Sequence, residues 1–333
     1  MIFHPTSLAL VFVSVASGII MLYSSAFGYR VIRYWDINSG SELQIELEKK
    51  TYLISTFLSF VCVLQIVSLL LYMYYTDSLA QFFTGAMCAV GVLNVNAFGM
   101  PVLGLKLLLF FLSSLWLMMN ILDTQAPDYP LTKVKYVFLM LMTPIVLVEM
   151  TAQYLYFTRM NPNVITSCCG TLFSGGKDNL PSELADIDPG KGVMLFISAA
   201  LLFLINGLVF RCWLKGGRMF FIANIMAFTA SIIAIISFIS LYVYEHPHHH
   251  CPFCVLQREY YYQGYLLYIP LFAAIVFGLG SAMTAEFKNR PSLTRLAARF
   301  SKKLSGMSLF SFLLFLAVVI VLIMKSHLIL LGG

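Results

Sequence analysis

Uninterrupted apolar runs recur eight times along the chain, each about as long as the ~20 residues a helix needs to cross the hydrocarbon of a bilayer. They cover Ser7–Tyr29, Tyr52–Tyr75, Met100–Leu122, Tyr136–Phe157, Val193–Trp213, Met219–Tyr244, Tyr265–Ala285 and Met307–Met324. The runs are continuous and do not alternate apolar with polar, so they predict helices and not the strands of a membrane barrel. The expected fold class is all-α: a polytopic integral membrane helical bundle forming one domain over residues 1–333. No internal repeat or long linker divides it.

A further stretch, QFFTGAMCAVGVLNVNAFG (Gln81–Gly99), is apolar but rich in glycine, interrupted by Asn94 and Asn96, and followed by Pro101. A full span here would reverse every later loop. Read instead as a re-entrant segment, it lets the basic residues sort consistently. Arg30, Arg33, Lys49, Lys50, Lys133, Lys135, Arg211, Lys215, Arg218, Lys288, Arg290, Arg295, Arg299, Lys302 and Lys303 then share one face, fifteen of the 21 Lys and Arg. By the positive-inside rule that face is cytoplasmic. Both termini then point outward, and the expected location is a bacterial inner membrane with the first run retained as a span.

Composition agrees with lipid as the solvent: 60% of residues are hydrophobic, 11% are charged and the mean hydropathy is +0.85. Soluble domains carry about a quarter charged residues. The net charge of +6 reports orientation, because the basic residues flank apolar runs and form no aromatic-interleaved patch of the nucleic-acid-binding kind. On the cytoplasmic side, KNRPSLTRLAARFSKK suits anionic headgroups, and YWDINSGSELQIELEKK, with Glu46 and Lys50 four apart, suits an interfacial helix. No glycine-rich phosphate loop of the Walker type is present, so ATP-driven transport is not encoded here.

The topology gathers the reactive side chains on the outer face. All six histidines fall there: His4, His246, His248, His249, His250 and His327. So do the vicinal pair Cys168–Cys169, in the outer loop 158–192, and Cys251 with Cys254, in the outer loop 245–264. The latter sit in YEHPHHHCPFCVLQREYYYQGY. In an oxidising outer compartment, cysteine pairs form disulfides or act in redox exchange, and Cys-x-x-Cys spacing keeps two sulfurs close while lowering one thiol's pKa.

At CPFCVLQR the chain resembles the bacterial DsbB family of quinone-coupled thiol oxidases. The resemblance implies that Cys251 and Cys254 deliver electrons to a bound quinone. It also implies that Arg258 lies beside the quinone and that Cys168 and Cys169 exchange with a periplasmic dithiol or redox protein. The chemistry needs a thiolate, a quinone headgroup and a cation to stabilise charge developing on its oxygen. Arg258 supplies the cation, and Tyr261 and Tyr265 are candidates to line a headgroup slot. Tyrosine is also enriched at membrane interfaces for its amphipathic ring alone.

Two other readings stay open. His248, His249, His250, Cys251 and Cys254 offer nitrogen and sulfur ligands suited to zinc or copper, two of the adjacent histidines at most reaching one ion, as in a metal-binding or metal-transporting membrane protein. Alternatively the cysteines are structural bridges in a membrane anchor subunit of a redox complex. Within the spans, Lys106 and Glu149 fall at similar depth and are expected to face each other, as a proton path, as part of a quinone pocket or as a structural pair. A charge at mid-bilayer costs about 2.5–3.5 kcal/mol on insertion scales, which favours pairing.

Overall fold

The computed structural model describes residues 4–37, 39–161, 163–166 and 187–328. Eight helices in it are long and apolar enough to cross a membrane, and no strand occurs among the described residues. The all-α polytopic architecture follows directly. The long helices are α1 (Pro5–Tyr34), α2 (Glu42–Ser78), α4 (Gly99–Thr124), α5 (Thr132–Thr158), α6 (Pro189–Trp213), α7 (Gly217–Ala234), α9 (Gln263–Glu286) and α10 (Thr294–Lys325). Short α3 (Ala89–Leu93) precedes α4. A five-residue π-helical stretch (Ile235–Ile239) and α8 (Ser240–Tyr244) extend α7 to the span's end.

The mixed-charge stretch expected to form an interfacial helix is helical from Glu42 and continuous with the second span. Glu, Gln, Leu and Lys are good helix formers, so α2 begins at Glu42, and Glu46 and Lys50 pair at 2.5 Å on its exposed surface.

The contacts divide into two compact units. The first holds α1, nearly all of α2, α4 and α5. Here α1 lies along α5 with a small-residue face: Ser14, Ser17, Gly18, Ser24 and Gly28 are all buried. A Cβ on Gly28 would lie 2.8 Å from Tyr136 Cδ1. Membrane helices gain little from hydrophobicity against lipid and associate through such close approach and interhelical polar bonds.

The second unit holds the stretch Asp77–Val92, α6 to α9 and most of α10. Its core is aromatic: Phe203 packs on Phe312 at 4.3 Å between centroids and Phe210 stacks on Phe220 at 5.2 Å. Ser281 and Ser301 exchange bonds with each other's backbone oxygens at 2.8 Å, fixing α9 against α10.

The segment Gln81–Gly99 makes no span. A 3₁₀ turn (Ala80–Phe82) and α3 are its only helical pieces before Gly99. Yet Cys88, Ala89, Val90, Val92 and Leu93 are each no more than 1% exposed. Irregular backbone is tolerated at membrane depth only where protein buries it. This segment carries Cys88, whose sulfur meets those of Cys251 and Cys254.

Candidate metal centre

The site lies wholly in the second unit, between two irregular stretches. The first is the Asp77–Val92 segment. Gly85 adopts φ +90°, a left-handed conformation natural to glycine alone. Thr166 donates its N–H to Thr84 O at 3.0 Å, and a Cβ on Gly85 would collide with Thr166 O. Past this turn the chain reaches Cys88, whose carbonyl accepts the Gly91 N–H at 3.0 Å as α3 begins.

The second stretch links α8 to α9 and carries the Cys-x-x-Cys. Glu245 turns the chain out of α8 at φ +51°, 3₁₀ turns form at Cys254–Leu256 and Arg258–Tyr260, and Tyr261 and Tyr262 both take positive φ before α9. Two consecutive left-handed residues that are not glycine each cost about 1–2 kcal/mol, so the surrounding bonds must hold the loop. Tyr244 donates to Cys251 O at 2.5 Å and Tyr268 to Pro252 O at 2.6 Å. The Tyr244 ring stacks on His249 at 4.1 Å and meets Tyr260 edge-on at 4.5 Å.

Gln257 joins the two stretches. Its Nε2 donates to Asp77 Oδ1 and to Met87 O, both at 3.0 Å, while Asp77 Oδ1 also accepts the Ala89 N–H at 3.2 Å. One amide therefore fixes the residues on either side of Cys88 to the cysteine loop.

The sulfurs of Cys88, Cys251 and Cys254 converge, all within 4.8 Å of one another. Cys88 and Cys251 are fully buried and Cys254 is 4% exposed. Cys88 Sγ and Cys251 Sγ are 3.7 Å apart. A disulfide requires about 2.05 Å, so this is a thiol pair. Metal–sulfur bonds of about 2.3 Å in a tetrahedral site place sulfurs about 3.8 Å apart. The observed separation is already that of an S–metal–S edge.

Sequence reasoning placed three histidines beside the Cys-x-x-Cys and left Cys88 out. His249 stacks on Tyr244, the His248 backbone N–H donates to His246 Nδ1 at 3.3 Å, and His250 Nδ1 lies 2.9 Å from Ile236 O. A carbonyl has no proton to give, so His250 Nδ1 is the donor and a neutral ring carries its lone pair on Nε2. Ile236 belongs to the π-helical stretch, a form often found next to functional sites. Among the described residues, the group of ligand-type atoms within 4.8 Å consists of the three sulfurs.

Arg258 is exposed, as are Tyr261 at 85% and Tyr265 at 41%. The tyrosines bonded or stacked into the loop are Tyr244, Tyr260 and Tyr268. Partial burial, and after it the nearby Cys254, raises the Tyr260 phenol above its usual range, so it stays neutral beside the sulfurs. Cys168 and Cys169 lie outside the described residues. Cys62 is buried within α2 and Cys212 is exposed near the end of α6. Lys106 and Glu149 do pair, at 2.7 Å and fully buried, in the first unit.

The signal for Cys88 was faint: one cysteine in a glycine-rich apolar stretch, 163 residues before Cys251. Only tertiary folding reveals it. No protein-family model, no curated protein and no solved structure matches this chain.

Proposed function

We propose that this membrane protein binds a soft metal ion, copper(I) in the first place, through Cys88, Cys251 and Cys254. The convergence of three buried sulfurs at metal-edge spacing carries the reading. Thiolates select Cu(I) and Zn(II) among the common ions, and among the described residues the cluster offers three ligands. Structural zinc is almost always four-coordinate, whereas three sulfurs satisfy Cu(I). Zn(II) with three thiolates leaves one negative charge and Cu(I) with three leaves two, so the choice rests on coordination number and not on charge. Gln257 acts one step out, holding both cysteine-bearing stretches in register.

Anaerobic titration of the purified protein with Cu(I), against a coloured chelator, tests this. One ion per chain is expected, with Cys88→Ser losing it and Cys212→Ser retaining it. Unchanged binding in Cys88→Ser would remove the reading.

A second reading has its own observation. At 3.7 Å, Cys88 and Cys251 need close by less than about 2 Å to form a disulfide. Two thiols would then lose two protons and two electrons, which a quinone takes up to become a quinol. The sulfurs are buried, so a small lipid-soluble oxidant suits them better than direct attack by a protein thiol. Arg258, Tyr261 and Tyr265 are exposed where a headgroup would approach. In this reading a periplasmic dithiol protein restores the thiols by way of Cys168 and Cys169. Excess ubiquinone should lower the free-thiol count of the reduced, metal-free protein by two. An unchanged count ends this reading and leaves the metal site untouched.

A further inference from the structure

The first unit contains polar machinery that the sulfur site does not use. Lys106 on α4 and Glu149 on α5 are both fully buried, with Lys106 Nζ 2.7 Å from Glu149 Oε1. Three more helix positions converge on the pair. Lys106 Nζ donates to Ser68 Oγ on α2 at 3.3 Å, and Ser14 Oγ on α1 donates to Glu149 Oε1 at 3.4 Å. Gln153 Nε2 donates to Ser14 Oγ at 2.7 Å. The Tyr72 ring faces Lys106 Nζ at 5.6 Å. At 1.5 Å rise per residue Lys106, Glu149, Ser68 and Ser14 lie roughly 10–15 Å from the nearer ends of their helices, and Gln153 and Tyr72 roughly 8–9 Å.

A second buried pair bridges the same two helices with its polarity reversed. Lys135 on α5 lies 2.7 Å from Asp123 on α4, and its Nζ also donates to Asn120 Oδ1 at 2.8 Å. Asn120 in turn donates to Ser59 Oγ on α2 at 3.1 Å. Lys135 and Glu149 are about 21 Å apart along α5 by helix rise. The lower pair borders a cavity of about 370 Å³, lined by Thr51, Ser55, Ser59, Asn120 and Lys135 and also by the exposed Glu48 and Tyr52.

Between and around the pairs, buried polar atoms have no protein partner: Glu149 Oε2, Gln153 Oε1, both amide atoms of Gln65 and Ser17 Oγ. Gln65 sits one helical turn from Ser68 on the same face of α2, toward the second pair, and Ser17 one turn from Ser14 on α1. Polar groups sealed in a bilayer without partners are costly, and internal water is the usual remedy where several such groups can bond it. At the other end Ser7 Oγ and Tyr75 OH are 2.5 Å apart, with His4 stacked on Tyr75.

We propose that the first unit carries a water-mediated proton path, from Ser7 and Tyr75 through Glu149 and Lys106, past Gln65, to Lys135, Asp123 and the cavity. A proton arriving from one side protonates the Glu149 carboxylate, and the same carboxyl releases a proton toward Gln65 and the second pair. No other reactant is consumed, and the pair returns to its starting charge. The path does not depend on the sulfur site.

The full chain, reconstituted in vesicles holding a pH-sensitive dye, is the test, with a potassium gradient and valinomycin driving protons inward. Wild type should acidify the lumen several-fold faster than protein-free vesicles. Glu149→Gln and Asp123→Asn should fall to the protein-free rate, and Glu149→Asp should restore part of it. Gln65→Leu covers the case in which a charge variant fails to fold: it disturbs no ion pair, yet should also slow the flux. Cys212→Ser, outside both sites, should conduct like wild type. A wild-type rate equal to that of empty vesicles, or a Gln65→Leu variant that folds and conducts like wild type, overturns the proposal.

Discussion

At the scale of single residues, the sulfur site depends on a few groups that are not themselves ligands. Gln257 is the clearest. Replacing it with leucine removes both of its bonds and leaves Asp77 and Met87 O short of a partner. Positioning partners of this kind typically cost about 10–100-fold in metal affinity. Gln257→Leu should therefore weaken Cu(I) binding by about tenfold or more in chelator competition, while all three cysteines stay in the chain. Gly85→Ala is expected to act on the same readout through the backbone. Its φ of +90° and the Thr166 carbonyl leave no room for a methyl group, so the turn that delivers Cys88 must deform. Acid should weaken the metal site too. A thiol has to lose its proton to ligate, so binding releases protons and apparent affinity falls as the pH falls. A Cu(I) affinity independent of pH would contradict thiolate ligation.

Among the helices, the buried pair between α4 and α5 makes the sharpest stability forecast. Removing one member strands a charge in the bundle, at about 3–5 kcal/mol, whereas an apolar pair of similar volume is often neutral or better. Lys106→Met and Glu149→Leu should each destabilise the protein in detergent unfolding, and the double variant should recover most of the loss. If the double variant is as unstable as the sum of the singles, the two side chains are not coupled as their 2.7 Å separation implies. The exposed Glu46–Lys50 pair at the start of α2 is the contrast. Solvent screens it, and Lys50→Ala should leave the unfolding midpoint where it is.

For the whole molecule, the two compact units bring together different chemistry: the two buried ion pairs in one, the three-sulfur cluster in the other. The two proposals can therefore fail separately. A variant that abolishes Cu(I) binding without touching proton flux, paired with one that does the reverse, would show the separation in one preparation.

The sequence by itself determined the solvent and the helices. Eight apolar runs of spanning length admit few alternatives, because backbone polar groups in lipid must be satisfied within the segment. It also determined that Lys106 and Glu149 would meet, since an unpaired charge at that depth is costly and each was the other's nearest match in depth. It did not determine the three-sulfur cluster. Local spacing announced Cys251 and Cys254, and the neighbouring histidines looked like their natural company. Cys88 arrives from a stretch with no periodic signal, brought in by Gln257, Asp77 and a left-handed glycine. Which side chains surround a sulfur is settled by long-range hydrogen bonds and packing. Neither leaves a repeating mark in the chain, and so only the tertiary structure brings Cys88 to Cys251 and Cys254.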